Sequence, residues 1–373
     1  MPTANFSVDA VAESSRSSNT MSAAVYRGSG AVEVEQVPIP EIGPGEILIR
    51  VEACGICPTD LKKIEYDLLP PPRIYGHETA GVVAKVGSLV TKYAPGDRVI
   101  VFHHIPCGTC FYCQHKLFAQ CAVYKKVGVT AGFEPAGGGF SQYVRVMDWI
   151  VERGVEKIPE GVSFGQATFV EPVNTCLKGI RAVHPKPGEV CAILGQGPIG
   201  LIFTMMAGGP GMKMGTRVVA TDTMPARRDL ALRFGAESVF DPRDNAFIEH
   251  VKSITEGRGA DLVIVAASAK GIVEQAVACS RPGARILLFA QTSHQERIEV
   301  SGADVCMGER SLLGSYSADV DLQRESADLV FSGALPVEEL ISHRLPLAQI
   351  LQGIEHALHP DEVSLKIVIS PQQ

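Results

Sequence analysis

Cys57 and His77 stand 20 residues apart, the first in Gly55-Ile56-Cys57-Pro58-Thr59-Asp60 and the second in Gly76-His77-Glu78. Thiolate, imidazole and carboxylate are the ligand types of a catalytic zinc, which keeps one position open for water or substrate. A lone His in a β-rich segment is more often a satisfied core residue. Here it follows a Gly and precedes a Glu, and a second carboxylate, Glu171, stands just before a nucleotide-binding pattern begins. That places Glu171 at a domain junction, where a cleft must lie. Cys54 and Cys57 also form C-x-x-C, but the βαβ surroundings of a thioredoxin-like redox pair are missing. His103, His104 and Glu134 are further polar candidates for the cleft walls, with solvated loop positions as the plainer explanation.

Cys107, Cys110, Cys113 and Cys121 form C-x2-C-x2-C-x7-C in a Gly-rich, polar segment. Four thiolates at this spacing close a tetrahedron around zinc and leave no position for water, so such a site holds a loop together. An iron–sulfur cluster shares the C-x2-C-x2-C opening, the x7 gap being the departure, and four unrelated thiols are the remaining alternative. There are ten Cys in all. Residues 1–22 are Ser-rich, with Asp9, Glu13 and Arg16, and lack the apolar stretch of a signal peptide. They read as a disordered leader or an upstream start. A reducing cytoplasm is then the default, and clustered thiols point to metal rather than disulfides.

Gly195-Gln196-Gly197-Pro198-Ile199-Gly200 has the form G-x-G-x-x-G between an apolar strand and a helical run. Gly195 makes the sharp turn, Gly197 lets a pyrophosphate approach the backbone, and Gly200 lets helix and strand pack closely. The helix start offers free N–H groups to phosphate, and Pro198 suits a first turn. Asp222 closes the next strand, 22 residues past Gly200. It can accept the ribose hydroxyls and would repel a 2′-phosphate, which favours NAD over NADP. Arg227 and Arg228 lie close enough to soften that choice.

The elements that position these residues follow from length and pattern. A chain of 373 residues suits about two domains. Ala31–Val37, Glu46–Glu52, Thr79–Val86, Arg98–Val101 and Phe140–Val146 read as strands, punctuated by Gly-Pro-Gly at 43–45 and Pro-Gly-Asp at 95–97. With no long helix-period run before residue 165, this part is expected to be all-β, a partly open barrel. From Glu189 onward strands and helices alternate to Ala290, which means an α/β unit, a doubly wound parallel sheet with helices on both faces. The tail from 316 carries helices near 321–331 and 346–357 and a strand Leu365–Ile369. Val190–Pro210 has the hydropathy of a membrane span, but Gly195, Gly197, Pro198 and Gly200 break it, and a buried strand–turn–helix gives the same profile. The net charge of −7 gives no attraction for nucleic acid or anionic lipid, and one Trp with eight Tyr supplies few stacking platforms.

Taken together, these motifs resemble the zinc-dependent medium-chain alcohol/polyol dehydrogenases, near the sorbitol and threonine dehydrogenase branch. The resemblance covers about Met21 to Ile369 and rests on Gly55 to Asp60, Gly76 to Glu78 and Cys107 to Cys121. It implies a GroES-like β-barrel catalytic domain (23–175, with a structural zinc loop at 107–121), a Rossmann domain (176–315) and a C-terminal segment (316–373) returning to the first. It implies two zinc ions per chain, NAD, a small alcohol or polyol substrate and a homodimer or homotetramer, with no nucleic-acid or membrane partner. By resemblance Cys57 and His77 ligate the catalytic zinc and Cys54 does not. Glu171 stands where the alcohol branch has its second Cys and the polyol branch a Glu, and Glu78 is a ligand in some states or a neighbouring carboxylate. Asp60 orients His77, and Thr59 passes the alcohol proton outward. Two departures stand out: Pro58 stiffens the turn after Cys57, and Lys62 replaces the His that ends the proton relay in much of the family. A threonine-type amino-alcohol dehydrogenase and a non-catalytic NAD(H)-binding redox sensor are the rival readings.

Overall fold

Segments in which every second side chain is apolar pair into one curled sheet; runs that are apolar throughout form another. The computed structural model describes residues 19–244, 246–290 and 297–373. The first part contains β1 (Thr20–Gly28), β2 (Ala31–Pro38), β3 (Ile47–Gly55), β4 (Glu78–Val86), β5 (Arg98–Val101), β6 (Val129–Thr130), β7 (Tyr143–Val146) and β8 (Val155–Lys157). β1 and β2 form a hairpin. β3 lies between β4 and β7, all antiparallel, and β5 and β8 extend the sheet beyond β4. The expected leader 1–22 runs too far: Thr20–Ser22 opens β1 and Met21 is fully buried, while residues 1–18 lie outside the described residues.

The second sheet comprises β9 (Val190–Leu194), β10 (Arg217–Thr221), β11 (Ala236–Phe240), β12 (Ala260–Val265), β13 (Ser280–Leu288) and β14 (Ser311–Gly314). Its order is β11-β10-β9-β12-β13-β14, with every pairing parallel. Counted along the chain this is 3-2-1-4-5-6, the doubly wound arrangement whose order reverses beside β9. β9 is buried along its whole length, as a central strand covered on both faces must be. The hydropathic run Val190–Pro210 is therefore β9, the Gly turn and the buried helix Pro198–Ala207. Among the described residues no helix is long and apolar enough to cross a membrane.

The tail supplies β15 (Ile341–Pro346) and β16 (Lys366–Ser370). β16 pairs antiparallel with β3, Val368 opposite Gly55 and Ile369 opposite Cys54, so the chain end completes the first sheet. β15, which the polar sequence Ile-Ser-His-Arg-Leu-Pro hides, pairs parallel with β16.

Helices at Pro58–Glu65, Phe111–Gln114 and Asp148–Arg153 correct the expectation of an all-β first part. Pro58–Glu65 is helical, with Pro at its first position, where a missing N–H costs nothing. Val170–Val183 is one continuous helix, so the expected boundary at 175/176 falls in its middle. Pro172 suggests a break but sits in the first turn, and Val173, Cys176, Leu177, Ile180 and Val183 form the buried stripe behind it. One apolar core runs from Ala80, Ile100 and Phe102 of the barrel through this stripe to Leu201 and Phe203 of the parallel unit.

β3 and β7 are clamped by Glu46, whose carboxylate accepts from Arg145 Nε and Nη2 at 2.7 Å each and from the Gly43 N–H at 2.6 Å. Burial alone would raise this carboxyl, yet Arg145 and the Gly43 N–H hold it below its ordinary value. A depressed folded value contributes stability above the unfolded pKa that is lost as pH falls through the folded one. Glu46→Gln is expected to lower stability at pH 7 by about 1–3 kcal/mol, from charge-assisted hydrogen bonds. In urea melts the gap to wild type should narrow on acidification below the ordinary carboxylate range; a gap constant with pH would contradict it.

Candidate active site

β3 and β4 are neighbours in a register that sets Gly55 opposite Glu78 and Cys54 opposite Thr79. Cys57, just past β3, is extended (φ −108°, ψ 142°) and caps the helix Pro58–Glu65, its carbonyl accepting from the N–H of Asp60 at 3.0 Å. His77, just before β4, is thereby brought against it. One ligand atom each from Cys57, His77 and Glu78 lies within 4.8 Å of the others. The first turn of the helix aims Asp60 at His77, with Asp60 Oδ1 2.9 Å from Nδ1. That bond fixes the ring and leaves Nε2 for a metal. Burial alone would raise Asp60, but the His77 ring, by charge and hydrogen bond, takes it below its ordinary value. Burial would lower His77, and Asp60 and Cys57 instead lift it well above. A thiolate and an oriented imidazole on converging loops, with carboxylate charge behind them, fit a divalent cation.

Glu78 is not free to turn. Lys366 of β16 donates to both of its oxygens, at 2.7 and 2.5 Å, and to the Ile56 carbonyl at 3.2 Å. Both residues are buried. A Cβ on Gly55 would stand 2.0 Å from Glu78 Oε2, so the carboxylate can lie across β3 only because residue 55 is Gly. Lys366 was not legible as a site residue, since it opens an ordinary apolar strand near the chain end.

Glu171 occupies the second position of the helix Val170–Val183 and is partly exposed. It is not one of the three groups that converge within 4.8 Å. Its carboxyl is pushed up to about 7, by burial first, with the Glu78 and Asp60 charges adding and His77 and Lys366 opposing. Thr59 and Lys62 are partly exposed on the helix that carries Asp60. Pro58, expected to stiffen the turn after Cys57, does so as the first residue of the helix.

The four-thiol loop closes on itself. Cys107 lies 3.8 Å from Cys113 and 3.7 Å from Cys121, and Cys110 lies 3.5 Å from Cys113, sulfur to sulfur. A zinc–sulfur bond of about 2.3 Å gives tetrahedral edges of about 3.8 Å, whereas a disulfide requires about 2.0 Å. The sulfurs thus fit a single tetrahedral ion. The Cys107 thiol is drawn down to about 6 by the Thr109 N–H and hydroxyl and the Cys110 N–H, while burial first, and then its neighbouring thiols, raise Cys113 to about 12.

At the nucleotide turn, Gly195 has φ +95°, and a Cβ on Gly200 would meet the Gly195 carbonyl oxygen at 1.9 Å. A Cβ on Gly197 would meet nothing nearer than Arg227 Nη1 at 4.0 Å, leaving the approach that a pyrophosphate needs. Pro198 and Ile199 open the helix. Asp222 is buried and accepts from the N–H of Gln196 at 2.7 Å and of Met224 at 2.9 Å. The two arginines part company. Arg228 donates to the Asp222 carbonyl at 2.7 Å and pairs with Asp241 at 3.6 Å. Arg227 reaches the Ser364 carbonyl at 2.9 Å and keeps a buried Nε without a partner.

Comparison with known proteins matches residues 43–160 to the alcohol dehydrogenase GroES-like domain and residues 198–332 to the zinc-binding dehydrogenase model. The chain is 28% identical to sorbitol dehydrogenase of Bacillus subtilis, covering 95% of this chain and 98% of the other. It is 33% identical to L-threonine 3-dehydrogenase of Pyrococcus horikoshii over 70% of this chain and 73% of that one. A zinc-binding dehydrogenase of Sinorhizobium meliloti solved with NADP superposes with a TM-score of 0.84 at 30% identity, covering 94% of this chain and 99% of that one. The chain belongs to the zinc-dependent medium-chain alcohol and polyol dehydrogenases. It is accordingly a zinc-binding dehydrogenase, an oxidoreductase.

Metal analysis is expected to find one zinc for each of the two groups. Cys57→Ser should remove one and Cys113→Ser the other, the latter with a lower melting temperature. Lys366→Met leaves a buried carboxylate unpaired and should cost about 3–5 kcal/mol in denaturant melts. A near-neutral Lys366→Met would mean that Glu78 finds another cation.

Proposed function

We propose that this chain oxidises a secondary hydroxyl of an alcohol or polyol with NAD+, and reduces the ketone in reverse. The convergence of Cys57, His77 and Glu78 within 4.8 Å carries this reading. Cys57 and His77 hold the catalytic ion, with Glu171 or Glu78 closing its protein ligand set. When bound, zinc lowers the pKa of the substrate hydroxyl and the nicotinamide takes the hydride. Asp60 keeps His77 in the tautomer that presents Nε2. Thr59 accepts the hydroxyl proton and passes it outward, past Lys62. Lys366 neutralises Glu78 so that two carboxylates can face one small cavity. Cys107, Cys110, Cys113 and Cys121 hold the structural ion.

Gly195, Gly197, Pro198, Ile199 and Gly200 receive the pyrophosphate, Asp222 the adenosine ribose, and Arg227 a phosphate oxygen. We assign residues 23–175 with 316–373 to the catalytic unit and 176–315 to the nucleotide unit, the helix Val170–Val183 bridging them. The protein is a cytoplasmic homodimer or homotetramer; ten free thiols support the compartment. β14, the last strand of the parallel sheet, offers an edge for a second copy, with Val305 and Met307 exposed beside it.

The 33% identity to a threonine dehydrogenase gives a second substrate class, amino alcohols. The test is NADH formation with sorbitol, xylitol, 2,3-butanediol and L-threonine. Turnover of the polyols and diol is expected, falling by more than about 100-fold in Cys57→Ser. Preference for L-threonine would select the second reading, and no turnover of any of them by zinc-loaded protein would sink both. Asp222→Ala should shift the NAD/NADP preference by about tenfold toward NADP, about 1.4 kcal/mol.

A further inference from the structure

Residues 316–321, just past β14, are held from two sides. On one side stands the helix Val170–Val183. Its Lys178 donates to the Tyr316 carbonyl at 2.7 Å, and its Asn174 side chain accepts from the Asp319 N–H at 2.7 Å and donates to the Asp319 carbonyl at 3.0 Å. On the other side stands the four-thiol lobe. Tyr124, three residues past Cys121, donates to the Ala318 carbonyl at 3.1 Å. Its one proton is thereby spent, so the Ser317 hydroxyl donates to the Tyr124 oxygen, at 2.8 Å. Val320 packs with Cys113, Phe118, Cys121 and Tyr124 in the lobe's own small core, and Lys116 pairs with Asp321 at 3.1 Å.

Tyr124 is buried and is itself set by the thiols. Burial alone would raise the Cys121 thiol, and backbone N–H groups, that of Tyr124 among them, hold it below its ordinary value. The Tyr124 backbone therefore faces the Cys121 sulfur while its hydroxyl reaches Ser317 and Ala318. Closing the four thiols fixes one end of this residue, and its other end fixes the loop.

What the loop faces follows from topology. In a doubly wound sheet the ligand lies beyond the carboxyl ends of the strands, across the point where their order reverses. Gly195 and Asp222 follow the carboxyl ends of β9 and β10, the side assigned above to pyrophosphate and adenosine. The other half of a dinucleotide then lies beyond the ends of β12, β13 and β14. β14 ends at Gly314, and Ser315 follows with its N–H on the Leu288 carbonyl at 3.3 Å. Ser315 Oγ is buried without a hydrogen-bond partner among the described residues. Buried polar atoms in native proteins are nearly always paired, so this hydroxyl marks a place completed by a molecule that enters it.

Resting on the NAD reading above, we propose that the four-thiol lobe sets the affinity for the nicotinamide half of the coenzyme, acting through Tyr124 on residues 315–318. Tyr124 is a positioning residue in this scheme, working through the Ser317 hydroxyl and the Ala318 carbonyl. The lobe then has a task beyond holding its own loop together.

The experiment compares two ligands on the full-length, zinc-loaded protein: NADH, and ADP-ribose, which lacks the nicotinamide. Dissociation constants come from NADH fluorescence and from calorimetry, with zinc content and melting temperature measured for every variant. Tyr124→Phe keeps the ring in the lobe core and removes its hydroxyl. It is expected to weaken NADH about fivefold or more, the scale of one lost hydrogen bond, and to leave ADP-ribose within about twofold of wild type. Ser317→Ala leaves the lobe core untouched and should act in the same way, so it carries the test should Tyr124→Phe fold poorly. Cys113→Ser, which opens the lobe, should weaken NADH as well and add nothing further in a Tyr124→Phe chain. Equal weakening of both ligands, or no change in either, in Tyr124→Phe and Ser317→Ala with both zinc ions retained overturns the proposal and leaves the dehydrogenase reading standing. Losses that multiply in the Cys113→Ser, Tyr124→Phe double variant overturn it too, because the lobe would then act by another route. A zinc-loaded wild type that binds neither ligand overturns the NAD reading itself.

Discussion

Gly55 lies across from Glu78 on two antiparallel strands, and that register governs the site. It brings Cys57, two residues past one strand, against His77, one residue before the other. A slip of one residue would reverse the faces of every side chain on the strand and part the thiolate from the imidazole. The absence of a side chain at residue 55 is part of the same constraint, because the Glu78 carboxylate occupies that space. The helix that follows Cys57 then supplies Asp60 at the distance His77 requires.

The buried pair Glu78–Lys366 extends this constraint to the far end of the chain. Such a pair adds little net stability against an apolar alternative, but removing one partner is costly. Its effect here is positional. β16 pairs with β3 for only two residues, and the ammonium of Lys366 fixes where those residues stand. The first and last parts of the chain thus meet behind Cys57 and His77.

Chemistry was legible in the sequence wherever it depends on local spacing. The four thiols declare themselves by spacing within 15 residues and Asp222 by its place 22 residues past Gly200, and the structure brings the thiols together and sets Asp222 against the N–H of Gln196 in the glycine turn. That the second sheet is parallel and covered on both faces followed from alternation of element type, although its strand order did not and the start of β13 lay upstream of its apolar run. What was not legible depends on long-range pairing. Lys366 looks like any residue opening a strand until β16 is laid beside β3. The helix bearing Glu171 was hidden by Pro172, which disrupts a helix in the middle but not in the first turn. β15 was hidden by its polar residues and by Pro346. His103 and His104 were legible as polar candidates, but the stack of His104 on Tyr124, 20 positions further on, was not.

The helix Val170–Val183 has one consequence for motion. Its first turn carries Glu171, and its apolar stripe is embedded in the same core as Leu201 and Phe203, behind the glycine turn. A helix embedded in a core shared by both sheets cannot bend near its middle without breaking backbone hydrogen bonds. The backbone that carries Glu171 is thereby continuous with the backbone packed behind the glycine turn.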